Sequence, residues 1–90
     1  MIGISAQVSL YPLRQESLSQ LIEEALHTFE AYGLQVEPGV MSSLITGDDV
    51  VVFAALQEAF QHAAEQGHVV MVATFSNACP LQGNGGRGGR

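Results

Sequence analysis

Leu34-Gln35-Val36-Glu37-Pro38-Gly39-Val40-Met41-Ser42-Ser43-Leu44-Ile45-Thr46 is the stretch that decides the fold. Pro38-Gly39 is turn chemistry, and the residues on either side read as two strands of a hairpin, over 34–37 and 40–46. Immediately outside the hairpin the apolar period changes to that of a helix. Upstream, Leu18, Leu21, Ile22, Ala25, Phe29 and Tyr32 share one helical face; Ser17 and Gln20 have the form of a capping box, and Gly33 supplies a left-handed stop. Downstream, Gly47-Asp48-Asp49 offers an acidic helix start, and Val52, Phe53, Leu56, Ala59, Phe60 and Ala63 continue at helical spacing to Gly67.

The two ends of the chain read as strands. Ile2, Ile4, Ala6, Val8 and Leu10 alternate with Gly3, Ser5, Gln7 and Ser9, which predicts a strand with one apolar face, ended by Tyr11-Pro12. His68–Phe75 is β-rich and apolar at nearly every position, so it is expected to be buried on both sides or to lie at an interface. The order β-α-β-β-α-β predicts an α+β, ferredoxin-like sandwich: an antiparallel sheet with both helices on one face. The other face then needs a cover, and self-association is the expected one. The domain spans residues 1–81; residues 82–90, with five glycines and two arginines, read as a disordered tail.

Ninety residues hold one core, and 47% hydrophobic against 13% charged residues is a globular composition. With Arg87 and Arg90 in the tail, Arg14 is the one fixed cation facing the nine carboxylates. Such a surface repels phosphate backbones and argues against nucleic acid. No apolar run approaches a membrane span and no signal-peptide pattern opens the chain, so a cytoplasmic protein without membrane insertion is expected. The single cysteine, Cys79, cannot form an intramolecular disulfide and reads as structural.

Nucleophile–base pairs, catalytic carboxylates and metal-ligand spacings are not apparent, so catalytic and metal residues are expected to be none. His27, His62 and His68 read as solvated or capping residues, and Asp48-Asp49 as helix caps, with Asp48 a candidate for a cationic ligand. The informative residues are small polar and amphipathic ones at strand ends: Ser9-Leu10-Tyr11-Pro12, Met41-Ser42-Ser43 and Phe75-Ser76-Asn77. With the first and third strands as parallel neighbours, Ser9–Tyr11 and Met41–Ser43 are expected to meet. Hydroxyls, a ring and a thioether suit a flat heteroaromatic ligand, although ordinary strand-end packing explains the same residues.

SLYP at Ser9–Pro12, MSSLITGD at Met41–Asp48, VFAAL..AF.HA at Val52–Ala63 and HVVM..TFSNACP at His68–Pro80 together resemble the YkoF-like thiamine/hydroxymethylpyrimidine-binding proteins. The resemblance covers nearly the whole chain apart from the tail. It implies a ferredoxin-like domain that binds thiamine or its hydroxymethylpyrimidine portion in salvage or transport, with no catalysis and no cofactor beyond that ligand. It implies a homodimer that reproduces the tandem domains of some relatives, or a homotetramer. It places Leu10 at the ligand through its backbone and Ser43 through its hydroxyl, where relatives often have threonine. Tyr11, Ser42, Met41, Ser9, Phe75, Ser76 and Asn77 are further candidates by motif and expected proximity. Two rivals stand beside this reading. One is a ligand-free oligomerisation or regulatory module of the same topology. The other is an acylphosphatase-like hydrolase using Arg14 and Asn77, disfavoured because Pro12-Leu13-Arg14-Gln15-Glu16 is not a glycine-rich anion loop.

Overall fold

A computed structural model describes residues 2–13, 18–39 and 41–78. The elements follow the expected order: β1 (Gly3–Leu13), α1 (Leu18–Ala31), β2 (Gln35–Pro38), β3 (Ser43–Asp48), α2 (Asp49–Ala64) and β4 (His68–Ser76). The strands form one sheet in the order β2-β3-β1-β4, with every described pairing antiparallel. This is the ferredoxin-like α+β arrangement. The Ser17 half of the capping box, Arg14, Val40, Cys79 and the glycine-rich tail lie outside the described residues.

The core forms where the alternating apolar side of the sheet meets the two helices. Ile4, Ala6, Val8 and Leu10 of β1 and Ile45 of β3 are buried against Leu21, Ala25 and Phe29 of α1 and Val52, Ala55, Leu56, Ala59 and Ala63 of α2. Phe29 is one of the largest fully buried side chains, and truncating such a residue to alanine costs about 3–5 kcal/mol. The end of α1 is fixed by Gly33 at φ +80, where a side chain would be strained. The Gly33 amide donates to the Glu30 carbonyl (2.9 Å) and the Leu34 amide to the Phe29 carbonyl (3.2 Å). That pair of bonds is a Schellman closure, and its usual apolar partners, here Leu34 and Phe29, are both buried.

Three expectations are corrected. First, β1 and β3 are antiparallel, not parallel: the two arms of a split βαβ, β1 and β2, run the same way, so β3 inserted between them must oppose both. Second, β1 does not end at Tyr11-Pro12 but continues to Leu13. Its ladder with β3 stops at Val8, so from Ser9 onward β1 has β4 as its sole described neighbour and tolerates a proline as an edge strand does. Third, β3 begins at Ser43 rather than Val40, and Asp48 makes no side-chain cap bond to α2. Asp49 is instead the tie, its amide donating to the Ile2 carbonyl (2.8 Å) and its Oδ1 accepting from the Ile2 amide (3.2 Å). Of the two alternatives for β4, burial on both sides does not hold within one chain, which leaves the interface alternative open. Val69, Met71 and Ala73 pack on the core, whereas Val70 and Val72 stand 43% and 50% exposed on the outer face.

Candidate functional site

The antiparallel register brings the end of β1 to the start of β3. Val8 pairs with Ser43, and Leu10, two residues on, shares the core-facing side with both. On its other flank Leu10 pairs with Met71 of β4. Helix α1 lies across this corner with Leu18, Ile22, Ala25, Leu26 and Phe29 on one face. Between helix and sheet is a cavity of about 260 Å³, completed by Tyr11, by Gly39, Met41 and Ser42 of the segment joining β2 to β3, and by Ser43 at the start of β3.

Its lining is apolar except at the β2–β3 end, where the hydroxyls gather. The Ser42 hydroxyl accepts a hydrogen bond from Gln7 Nε2 (3.0 Å), and Ser9 Oγ donates to the Met41 carbonyl (3.3 Å). The Ser43 hydroxyl, by contrast, has no partner among the described residues although it is half-buried. Met41 is 77% exposed and stands at the mouth rather than over a closed floor. Gly39 is required where the segment turns, since a Cβ there would lie 2.5 Å from the Ser42 carbonyl oxygen.

Of the residues singled out from sequence, the fold therefore brings together Leu10, Tyr11, Met41, Ser42 and Ser43 at the cavity, with Ser9 bonded to its rim. It does not bring Asp48, Phe75, Ser76 or Asn77 there. Asp48 pairs with Gly3 at the opposite end of β3, about 16 Å from Ser43 at the usual strand rise. Ser76 pairs with Ser5 and Phe75 with Ala6 near the start of β1. Phe75 stacks on Phe53 of α2, ring centroids 4.6 Å apart, and so packs a helix against the sheet at the far end. Arg14, one half of the pair an acylphosphatase-like site would need, lies outside the described residues.

A second groove, of about 470 Å³, crosses the outer side of the two helices between Gln20, Glu23, Glu24, His27, Thr28, Glu58 and His62. Several of its polar groups are engaged with one another. Glu24 accepts from Gln66 (2.7 Å) and Gln20 (3.2 Å) and lies 3.3 Å from His62 Nε2, and these bonds, Gln66 foremost, hold its carboxyl below the ordinary 4.5. Tyr32 donates to Glu58 (2.7 Å), which raises the phenol above its ordinary 10.0. This groove is an α1–α2 clamp, and no group of three or more described His, Cys, Asp or Glu residues is arranged to hold a metal.

Comparison with known proteins places this geometry in a family: the family model described as the YkoF-related family matches residues 3–82. The chain belongs to that family. Among solved structures, a hypothetical protein from Methanocaldococcus jannascii is 26% identical with a TM-score of 0.81, over 93% of this chain and 89% of that one. A domain of unknown function from Bacillus cereus gives a TM-score of 0.73 at 15% identity, over 90% and 83%. A protein named "putative thiamine biosynthesis/salvage protein", from Thermotoga maritima, gives 0.72 at 13% identity, over 81% of each chain. No curated protein matches. The YkoF-related fold is thus shared at low identity, and the described residues of this member include no helix long and apolar enough to cross a membrane.

Proposed function

We propose that this protein binds the aminopyrimidine portion of thiamine, or the free hydroxymethylpyrimidine, in the α1–sheet cavity and releases it unchanged, as a carrier in vitamin salvage or transport. The observation that carries the reading is the Ser43 hydroxyl, half-buried at the edge of an apolar cavity without a described partner. A hydroxyl that no described protein group engages is free to bond a ligand entering the cavity. An aminopyrimidine offers donors and acceptors along one edge and flat apolar faces, which suits a hydroxyl, the backbone at Leu10 and the sulfur of Met41 or Met71. The cavity lies just below the ~300 Å³ at which small-molecule clefts commonly begin, which favours one ring inside and the remainder of thiamine at the mouth. Membership of the YkoF-related family and the name of the Thermotoga neighbour support the choice of ligand.

The described lining residues offer hydroxyls and thioethers but no nucleophile–base pair, so binding without transformation is the reading they favour. The outer sheet face favours assembly as well. Leu13, Leu44, Val70 and Val72 are each 39–50% exposed on that side, an apolar surface a second copy would cover. A homodimer or homotetramer built this way leaves the cavity, on the other side of the sheet, open to ligand.

The test is thermal unfolding with the two halves of thiamine supplied separately. At tenfold excess over its dissociation constant, hydroxymethylpyrimidine stabilises by about 1.4 kcal/mol and raises Tm by about 6–11 °C for a domain of this size. The thiazole alcohol at the same concentration leaves Tm unchanged. Equal shifts from both, or from neither, contradict the proposal.

A further inference from the structure

The cavity wall between β2 and β3 is off the sheet ladder. The last described pairs on either side of β3 are Val8 with Ser43 and Pro38 with Ser43, so Met41 and Ser42 have no strand partner. Yet both are tied to β1 by side chains from the opposite face of the sheet. Gln7, paired to Leu44, reaches diagonally across to donate to the Ser42 hydroxyl, and Ser9, next along the same row, donates to the Met41 carbonyl. Together they carry the attachment of β3 to β1 past the ladder's end, at the point where Ser42 and Met41 line the cavity.

We propose that Gln7 and Ser9 are positioning residues for the ligand site: from the outer face of the sheet they hold the Met41-Ser42 wall in place, without touching the ligand. The proposal deepens the binding function above, since it concerns the same cavity, but its first readout needs no ligand. Each bond is exposed in the single chain and of ordinary strength, so losing both loosens the wall without unfolding a sheet built on Ile4, Ala6, Val8 and Ile45.

The experiment compares the native chain with the double variant Gln7→Ala/Ser9→Ala, a rescue variant Gln7→Glu/Ser9→Thr, and Ser5→Ala as a control elsewhere in the same row. In the rescue variant the Ser42 hydroxyl donates to a carboxylate and the threonine keeps its donor. Backbone order parameters from nuclear magnetic resonance relaxation are expected to fall at Met41 and Ser42 in the alanine variant, to return to native in the rescue variant, and to be unchanged in Ser5→Ala. Unaltered order parameters at 41–42 in the alanine variant overturn the proposal whatever the ligand. Calorimetric titration with hydroxymethylpyrimidine is then expected to weaken about three- to tenfold in the alanine variant and to recover with rescue. Native-like affinity in the alanine variant overturns the positioning role even if the wall moves. Failure of the native chain to bind refutes the proposed function, and the order parameters then decide whether Gln7 and Ser9 hold the wall.

Discussion

Replacing Ser43 with alanine separates a binding role from a structural one, because the two predict opposite results in the absence of ligand. The hydroxyl is half-buried beside Val8 and Pro38 and has no described hydrogen-bond partner. Its removal breaks no described hydrogen bond within the free protein, so unfolding free energy should change by less than about 0.5 kcal/mol. With ligand bound, the same change deletes a hydrogen bond with a typical net value of about 0.5–1.5 kcal/mol, so the dissociation constant should rise roughly two- to twelvefold. Ser43→Thr keeps the hydroxyl and should keep most of the affinity. Urea denaturation of the free variants and titration calorimetry with hydroxymethylpyrimidine measure the two quantities. A loss of more than about 1 kcal/mol of stability in free Ser43→Ala, or unchanged affinity, would refute the reasoning.

Three further outcomes are expected. Val72→Glu, which puts a carboxylate in the middle of the outer apolar row, should convert an oligomer into single chains by light scattering with an unchanged circular dichroism spectrum, whereas a Val72→Glu protein of native size would show that the face is not the interface. Glu24→Gln should lower Tm at neutral pH, with the deficit shrinking as pH falls through the lowered Glu24 pKa, because a carboxyl held below 4.5 stabilises the fold above its unfolded value and loses that contribution in acid; a deficit independent of pH would mean the clamp does not depend on the charge. Thiamine diphosphate should bind at least about tenfold more weakly than thiamine, since the described cavity lining carries no cationic side chain, and added salt should weaken thiamine but not the neutral pyrimidine.

The layers of this fold were legible in the sequence because each element carries its own period. Gly33, Pro38-Gly39 and Gly67 punctuate the change from two to 3.6 and back, and the structure follows within a few residues. Leu10 and Ser43 were placed by the family resemblance, and the structure puts both on the core side of adjacent strands. The failures concern relations between elements. Strand-end motifs look alike in sequence whichever end of the sheet they occupy. Phe75-Ser76-Asn77 and Asp48 close the far end, because β4 runs antiparallel to β1 and Asp48 is where β3 leaves the cavity. Gln7 was overlooked because outer-face polar residues in a strand usually meet only water. Its one distinguishing signal was length, a long amide in a row otherwise made of Gly3, Ser5 and Ser9, able to reach a diagonal neighbour.

The central claim, that the α1–sheet cavity takes the pyrimidine end of thiamine, is tested most directly by a nuclear magnetic resonance titration of backbone amides with hydroxymethylpyrimidine. The account predicts saturable shifts concentrated at Leu10, Tyr11, Gly39 and Met41–Ser43, with little change at Asp48, Phe75 or Ser76. Shifts concentrated at the Phe53–Phe75 end, or no saturable shift in a well-folded protein, would contradict it.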